Sequence, residues 1–213
     1  MSAHPDHRAT AAAGNPAARP RPVAWLMRSL KIAVVALGLS AASFGAYCGV
    51  IIYEGNFHAV APGVLYRSAQ LSDAQMQTFV HQYGIKSVLN LRGANPGSPW
   101  YDDEVAESRK LGLVHYDYSL SAKRFVTRPQ IAAIVAILRR APKPLLIHCM
   151  SGADRSGLVA ALYRYVIAGA SADAADQQLS LVYGHFPYLM SQSVAMDNSF
   201  WAYVHGTTRT AAR

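Results

Sequence analysis

The fold is decided by the stretch Leu145-Leu-Ile-His-Cys-Met-Ser-Gly-Ala-Asp-Arg-Ser-Gly157. Its apolar beginning, Leu145–Ile147, is typical of a short buried strand, and apolar residues recur at helical spacing after Gly157. A loop between a strand and a helix can gather its backbone N–H groups around an anion at the helix N-terminus, which also favours a thiolate. Cys149 and Arg155 stand in this loop with five residues between them. A nucleophilic thiolate, a ring of amides and a planar guanidinium group predict a site for a phosphate monoester.

The segment His148–Gly157 resembles the HCxxGxxR[ST]G signature of the cysteine-dependent protein tyrosine and dual-specificity phosphatases. The resemblance includes Val64–Ser68, Tyr83–Arg92 and His115–Asp117, which are similar to the small atypical dual-specificity branch of bacterial type. It covers the chain from about residue 56 to residue 204. The resemblance implies a hydrolase that removes phosphate from phosphotyrosine or related esters through a cysteinyl-phosphate intermediate.

This resemblance assigns a role to each residue of the loop. Cys149 is the expected nucleophile, and Arg155 is expected to hold the equatorial phosphate oxygens in the transition state. Ser156 would help the thiolate leave in the second step, and His148 would be a scaffold residue that hydrogen-bonds the loop. The residues expected to bind phosphate are Met150, Ser151, Gly152, Ala153, Asp154, Arg155 and Ser156.

The reaction also needs an acid for the leaving group and a base for water. Asp117 is the first candidate, because it lies near the end of a predicted strand, 32 residues before Cys149, where this group of enzymes places its acid. Asp154 is the second candidate, although its position in the loop favours a stabilising pair with a neighbouring cation. Asp102 and Asp103 are the remaining candidates for the acid. Arg92 directly follows another predicted strand and is expected at the same sheet edge as the phosphate-binding loop, where it would bind a second anionic group, hold the acid loop or form a structural ion pair.

Composition limits the other functional classes. The chain has 213 residues, of which 52% are apolar, which is enough for one domain and an appendage. The formal net charge is +8, but no motif for nucleic acid binding accompanies it. Of the two cysteines, Cys48 lies in an apolar segment, so the globular part cannot form a disulfide framework. The histidines are scattered without the spacing of a metal site, so we expect neither metal nor cofactor.

The N-terminal region predicts a membrane anchor. Residues 1–22 are rich in Ala, Pro and Arg and predict a disordered tail. Residues 23–53 contain a basic flank and a run without charge, 32–53, which as a helix would span about 33 Å. A cleaved signal peptide and a buried helix of the domain are the alternatives. The basic flank predicts a cytoplasmic N-terminus, so the domain at 54–213 would lie in the periplasm of a bacterium, held by a single pass through the inner membrane.

The remaining pattern predicts an α/β domain after this one transmembrane helix. The expected strands fall at residues 64–66, 86–91, 113–118 and 145–148. The expected helices fall at residues 71–82, with Ser72 as N-cap, and at 100–111, 129–140, 158–168, 172–183 and 191–204. Strands that alternate with helices predict a central, mostly parallel sheet flanked by helices on both faces.

The sequence leaves the substrate open among phosphorylated proteins, small phosphate esters and lipid phosphates. Met150 and Ala153 occupy positions where inositol-lipid phosphatases often carry lysine, which argues against a highly charged headgroup. The predicted anchor, in contrast, favours a lipid phosphate at the membrane face. A catalytically weak phosphate-binding interaction module is the alternative from another class, and intact Cys149 and Arg155 speak against it.

Overall fold

The structure, a computed structural model, describes residues 22–211. The disordered tail predicted at residues 1–22 therefore lies, except for its last residue, outside the described part of the chain. The chain divides into two compact units, of which the first ends at Phe44 and the second covers Gly45–Arg213.

The first helix, α1, runs from Pro22 to Tyr53 and contains the whole uncharged run of residues 32–53. Its stretch Ala24–Tyr53 is long and apolar enough to cross a membrane by length and composition, and none of its most apolar window is buried. A helix is thus present where the anchor was predicted. That it crosses a membrane stays a prediction.

The second unit is built on a five-stranded sheet. Its strands are β1 (His58–Ala61), β2 (Leu65–Ser68), β3 (Ser87–Asn90), β4 (Val114–Asp117) and β5 (Leu145–His148). They lie in the order β1-β2-β5-β3-β4, and only β1 is antiparallel to its neighbour. The prediction of a mostly parallel sheet is therefore confirmed. Strand β1 was not predicted, because it is a short edge strand in which only Val60 is buried, so it shows little apolar alternation.

The register of the sheet places the ends of the parallel strands side by side. Ser68 of β2 and Asn90 of β3 both pair with His148 of β5, and Asn90 also pairs with Asp117 of β4. The loops that follow these strands consequently leave the sheet at one edge. Open α/β sheets bind ligands at this carboxyl edge.

Helices cover both faces of the sheet. They are α2 (Asp73–Tyr83), α3 (Pro99–Lys110), α4 (Arg128–Arg140), α5 (Asp154–Leu162), α6 (Ala172–Asp176) and α7 (Val194–Ala211). Ser72 caps α2 through a reciprocal capping box with Gln75, as its sequence predicted. The larger apolar cluster joins the sheet to α4, α5 and α7, and the smaller one joins it to α2.

Three predicted helices have clearly different bounds in the structure. The helix expected at 191–204 is α7, which begins at Val194 and continues to Ala211. The helix expected at 158–168 begins earlier, at Asp154 inside the loop, and ends in a π-helical turn at Tyr163–Ile167. The helix expected at 172–183 is wrong, because α6 ends at Asp176 and is followed by irregular chain and a 3₁₀ turn at Leu181–Tyr183. The chain leaves the helix where the carbonyl of Gln178 accepts a hydrogen bond from a buried arginine, so a tertiary contact overrides local helix propensity.

Candidate active site

The phosphate loop, residues 149–155, connects β5 to α5. Cys149 lies at its beginning and is 1% exposed. Gly152 has φ +75°, and a Cβ atom there would lie 2.7 to 2.9 Å from the backbone of Ser68 and Ala69. Only glycine fits this close approach, so the loop turns directly against the end of β2.

A buried arginine fixes the outer side of the phosphate loop. Arg67 is fully buried, and its Nη2 donates hydrogen bonds to the carbonyls of Gly152 at 2.7 Å and Ala153 at 3.0 Å. These carbonyls therefore point away from the interior of the loop. Burial lowers the pKa of Arg67 to about 10, against the opposing effects of Tyr183, Cys149 and Asp154. The guanidinium group is thus charged at neutral pH and adds positive potential beside Cys149.

Arg155 is half-buried at the other end of the loop. Its Nη1 makes only long contacts, 3.5 Å to the carbonyl of Leu91 and 3.4 Å to that of Leu120. Its Nε is buried and has no hydrogen-bond partner among the described residues. Most of the hydrogen-bonding capacity of Arg155 is therefore available for an anion, as its predicted role requires.

Arg92 lies close to Arg155, because the strands that precede Arg92 and the phosphate loop are neighbours that end at the same edge of the sheet. Its Nη1 donates to Oε1 of Gln70 at 3.0 Å, and its Cζ lies 3.3 Å from the ring centre of Trp100. Burial and the neighbouring charge of Arg155 lower the pKa of Arg92, whereas the influence of Cys149 raises it. The guanidinium groups of Arg92 and Arg155 thus lie near each other beside the phosphate loop.

His148 is buried below the loop. Its Nε2 donates to Oε1 of Glu104 at 3.0 Å, and its Nδ1 has no hydrogen-bond partner among the described residues. The side chain expected to bond the loop is therefore anchored to α3 instead. The connection of His148 to the loop is the peptide bond to Cys149.

Asp117 ends β4, two strands away from His148, which corresponds to about 10 Å between their backbones at ordinary strand spacing. Its Oδ1 accepts a hydrogen bond from Nδ2 of Asn90 at 2.8 Å, and its Oδ2 accepts one from the hydroxyl of Tyr101 at 2.7 Å. The bond to Asp117 is the main reason why the pKa of Tyr101 is raised to about 12. Both oxygens of Asp117 are therefore engaged, and proton donation would require one of these bonds to open.

Asp154 pairs with a cation, which is one of the two roles predicted for it; the other is that of the acid. Its Oδ1 accepts a 2.6 Å hydrogen bond from Nδ1 of the buried His185. Asp154 also lines a cleft of about 470 Å³, together with Lys123, Phe186 and three consecutive polar residues, Ser191, Gln192 and Ser193. This cleft reaches the phosphate loop and offers space for the part of a substrate beyond its phosphate group.

No group of three or more His, Cys, Asp or Glu side chains is arranged to hold a metal ion within residues 22–211. The cations Arg67 and Arg92 both interact electrostatically with Cys149.

The sequence profile of the tyrosine phosphatase family matches residues 50–177, which include every strand and the phosphate loop. The chain belongs to the tyrosine phosphatase family. It is therefore a hydrolase of the protein tyrosine and dual-specificity type, as the signature around Cys149 predicted. Among curated proteins, no sequence matches this chain.

Solved structures of phosphatases share the fold. TpbA of P. aeruginosa is 25% identical, with a TM-score of 0.53 over 68% of this chain and 84% of TpbA. A structure of TpbA in complex with phosphotyrosine is also 25% identical, with a TM-score of 0.52 over 69% of this chain and 89% of the other. The core catalytic domain of the PP-IP phosphatase SIW14 from S. cerevisiae, at 19% identity, has a TM-score of 0.53 over 72% of this chain and 93% of its own, which shows the fold alone.

Proposed function

We propose that this tyrosine phosphatase family member hydrolyses phosphotyrosine or related phosphate esters through a cysteinyl-phosphate intermediate. The observation that carries the proposal is the position of Cys149 at the base of a loop whose carbonyls are turned outward by Arg67. The amide groups of residues 150–156 would bind the phosphate oxygens, and Arg155 would hold two of them with its planar fork.

The proposed reaction has two displacements. In the first, the thiolate of Cys149 attacks phosphorus, an S–P bond forms, and the P–O bond to the leaving group breaks. The leaving oxygen receives a proton from an acid, for which Asp117 is proposed and Asp154 is the alternative. In the second, water attacks phosphorus, loses a proton to the same residue, and inorganic phosphate and the thiolate are released. The hydroxyl of Ser156, which lies beside the loop and 3.4 Å from the carbonyl of Ser68, would assist the departing thiolate.

Phosphotyrosine is the first substrate to consider, because the TpbA structure holds phosphotyrosine in a protein of the same fold. The cleft beside Asp154 is lined by polar side chains and by Phe186, a combination that suits a peptide carrying an aromatic phosphate ester.

We further propose that residues 23–53 anchor the protein in a bacterial inner membrane and that the catalytic domain, residues 54–213, lies in the periplasm. The support is the apolar helix α1 and the excess of Lys and Arg before its uncharged run.

A specific contact favours a lipid phosphate as the second candidate substrate. Nδ2 of Asn56 donates hydrogen bonds to the carbonyl of Ser151 at 2.8 Å and to that of Tyr183 at 3.0 Å. Asn56 follows Tyr53, the end of the candidate span, by three residues. An anchored protein would encounter lipid phosphates in its own membrane, and Asn56 joins the phosphate loop to the chain just after the proposed anchor.

A dephosphorylation panel on the full-length protein in detergent micelles tests the proposal. The substrates are phosphotyrosine peptides, phosphoserine peptides and phosphorylated lipids in mixed micelles, each assayed for released phosphate with EDTA present. Hydrolysis of phosphotyrosine peptides is expected, and preferential hydrolysis of lipids would transfer the assignment to the second candidate. Binding of phosphate without hydrolysis of any substrate would identify a phosphate-binding module instead.

A further inference from the structure

Glu104 is a buried acid below the phosphate loop. It lies on α3, is 4% exposed, and its Oε1 accepts hydrogen bonds from Nε2 of His148 at 3.0 Å and from Nε2 of His115 at 2.8 Å. Its Oε2 accepts a hydrogen bond from the side-chain amide of Gln70. One carboxylate thus joins β5, β4 and the segment after β2 beneath the site.

The environment keeps this carboxylate ionised. Burial alone raises the pKa of Glu104, but the positive charge of His148 and the hydrogen bonds from His115, His148 and Gln70 outweigh burial. The net pKa lies below its usual range. Glu104 is therefore an anion that accepts hydrogen bonds from two histidine rings beneath the phosphate loop.

Glu104 reaches the phosphate loop by two routes. His148 is bonded directly to Cys149 in the chain, so fixing its ring fixes the backbone from which the nucleophile starts. Gln70 donates its backbone N–H to the carbonyl of Met150 at 3.2 Å, while its side chain bonds both Glu104 and Arg92. Loss of Glu104 would therefore weaken two supports of the beginning of the loop, one through His148 and one through Gln70.

We propose that Glu104 is a positioning residue which, through His148 and Gln70, holds the phosphate loop in the geometry that keeps Cys149 reactive. The proposal rests on the proposed function, in which Cys149 is the nucleophile. Glu104 itself does not touch the reacting atoms. The charged or titratable groups that face it are His148 on β5, His115 on β4 with Asp117 behind it, Arg92 after β3 and Tyr101 on its own helix.

The chain offers a matched control on the same helix. Glu107 is 6% exposed and accepts hydrogen bonds from Nε2 of Gln77 at 2.8 Å and from Nζ of Lys110 at 3.1 Å. Its hydrogen-bond partners lie on α2 and α3, not in the phosphate loop. Glu104→Gln and Glu107→Gln thus make the same chemical change at similar burial, and only the first removes the charge beneath His148.

The experiment measures the reactivity of Cys149 and turnover separately. Full-length protein in detergent carries Cys48→Ser, so that Cys149 is its only thiol, and is alkylated with iodoacetamide between pH 4.5 and 9. Because Glu104→Gln would loosen the ring of amide groups around Cys149, it should slow alkylation below pH 7 by roughly tenfold and move the acidic limb of kcat/KM for p-nitrophenyl phosphate to higher pH by about one unit. Glu107→Gln should leave both curves at the parent position, with KM nearly unchanged in all variants.

A melting curve identifies any variant that fails to fold. If Glu104→Gln does not fold, Glu104→Asp, which keeps the charge on a shorter side chain, decides: alkylation below pH 7 that is slower than in the parent supports the proposal, and curves equal to those of Glu107→Gln overturn it. Parent-like alkylation in folded Glu104→Gln would also overturn it. A parent protein that alkylates as a thiolate but hydrolyses no phosphate ester would instead reject the proposed function and leave the role of Glu104 intact.

Discussion

His185 donates a hydrogen bond from Nδ1 to Oδ1 of Asp154 at 2.6 Å, and its Nε2 donates to Oδ2 of Asp197 at 2.9 Å. The phosphate loop is thereby joined to α7 through one fully buried ring. Because both ring nitrogens face carboxylates, both must carry protons, and the ring is an imidazolium ion. Burial alone would lower the pKa of His185, but its bonds to Asp154 and Asp197 raise it to about 9.

The first prediction concerns the dependence of stability on pH. Since the folded-state pKa of His185 is raised from 6.5 to about 9, its contribution to stability is fully present below pH 6.5 and is lost as pH rises through 9. The urea midpoint of the protein should therefore fall more between pH 6.5 and 10 than that of His185→Gln. The exposed His81→Gln on α2 is the control and should follow the parent. Parallel curves for parent and His185→Gln would show that the ring is not charged when folded.

The second prediction concerns the nucleophile. Cys149→Ser should abolish turnover, because a serine hydroxyl in this site lacks the easily formed anion of a thiol. It should still bind phosphate, since much of the cradle is backbone N–H. Turnover with EDTA present and phosphate binding by calorimetry are the measurements. Cys48→Ser is the matched control with parent activity, and a Cys149→Ser protein as active as its parent would exclude the covalent mechanism.

The third prediction concerns Arg155. Arg155→Lys should reduce kcat by about 10²–10³, because an ammonium group cannot replace the two parallel hydrogen bonds of guanidinium to the transition state. Steady-state kinetics on a phosphotyrosine peptide would measure this loss. Arg139→Lys, an exposed change on α4, should have no effect. A loss confined to KM would mean that Arg155 binds substrate and transition state equally.

The local sequence predicted the parallel sheet and the phosphate loop, because both depend on neighbouring residues. Leu145–His148 is a continuous buried strand, and Gly152 supplies the turn that only glycine fits. The supports of the loop, Arg67, Glu104 and His185, were not predicted in these roles. They lie far from Cys149 in the chain, and the contacts that bury their charges are visible only in the folded structure.

One signal of these supports was nevertheless present. Arg67 directly follows the apolar run Val64–Tyr66, and a charged residue that continues a buried strand requires a buried partner without identifying it. Glu104 looked like one of several acids at the start of α3, as the helix dipole favours, and only the packing separates it from the exposed Asp103. The predicted end of α6 was also wrong because of a tertiary contact, the hydrogen bond from Arg67 to the backbone carbonyl of Gln178.

The fourth prediction concerns topology. Reporter fusions after residue 60 should show an exported domain, and the full-length protein should fractionate with membranes at its unprocessed mass. The reason is the excess of Lys and Arg before the uncharged run of α1. A soluble species that starts near residue 47 would indicate a cleaved signal peptide. A cytoplasmic reporter signal would reverse the orientation.

The last prediction separates the two candidate acids. Removal of a general acid slows a poor leaving group most, because a good leaving group departs without a proton. If Asp117 is the acid, Asp117→Asn should slow hydrolysis of phenyl phosphate by roughly 10²–10⁴-fold and that of p-nitrophenyl phosphate much less. Asp117→Asn should also remove the basic limb from the dependence of kcat/KM on pH. Asn keeps the shape that Asn90 and Tyr101 contact, so the change is mainly one of charge.

The same two substrates are then applied to Asp154→Asn and to Asp103→Asn, an exposed control on α3. The structure gives Asp154 a position beside the cleft and a hydrogen bond from His185 to its Oδ1, whereas both oxygens of Asp117 accept hydrogen bonds. If Asp117→Asn lowers the rates of hydrolysis of both substrates by the same small factor, Asp117 has a structural role and is not the acid. A leaving-group-dependent loss in Asp154→Asn alone would then assign the proton to the phosphate loop, with His185 holding the acid in place.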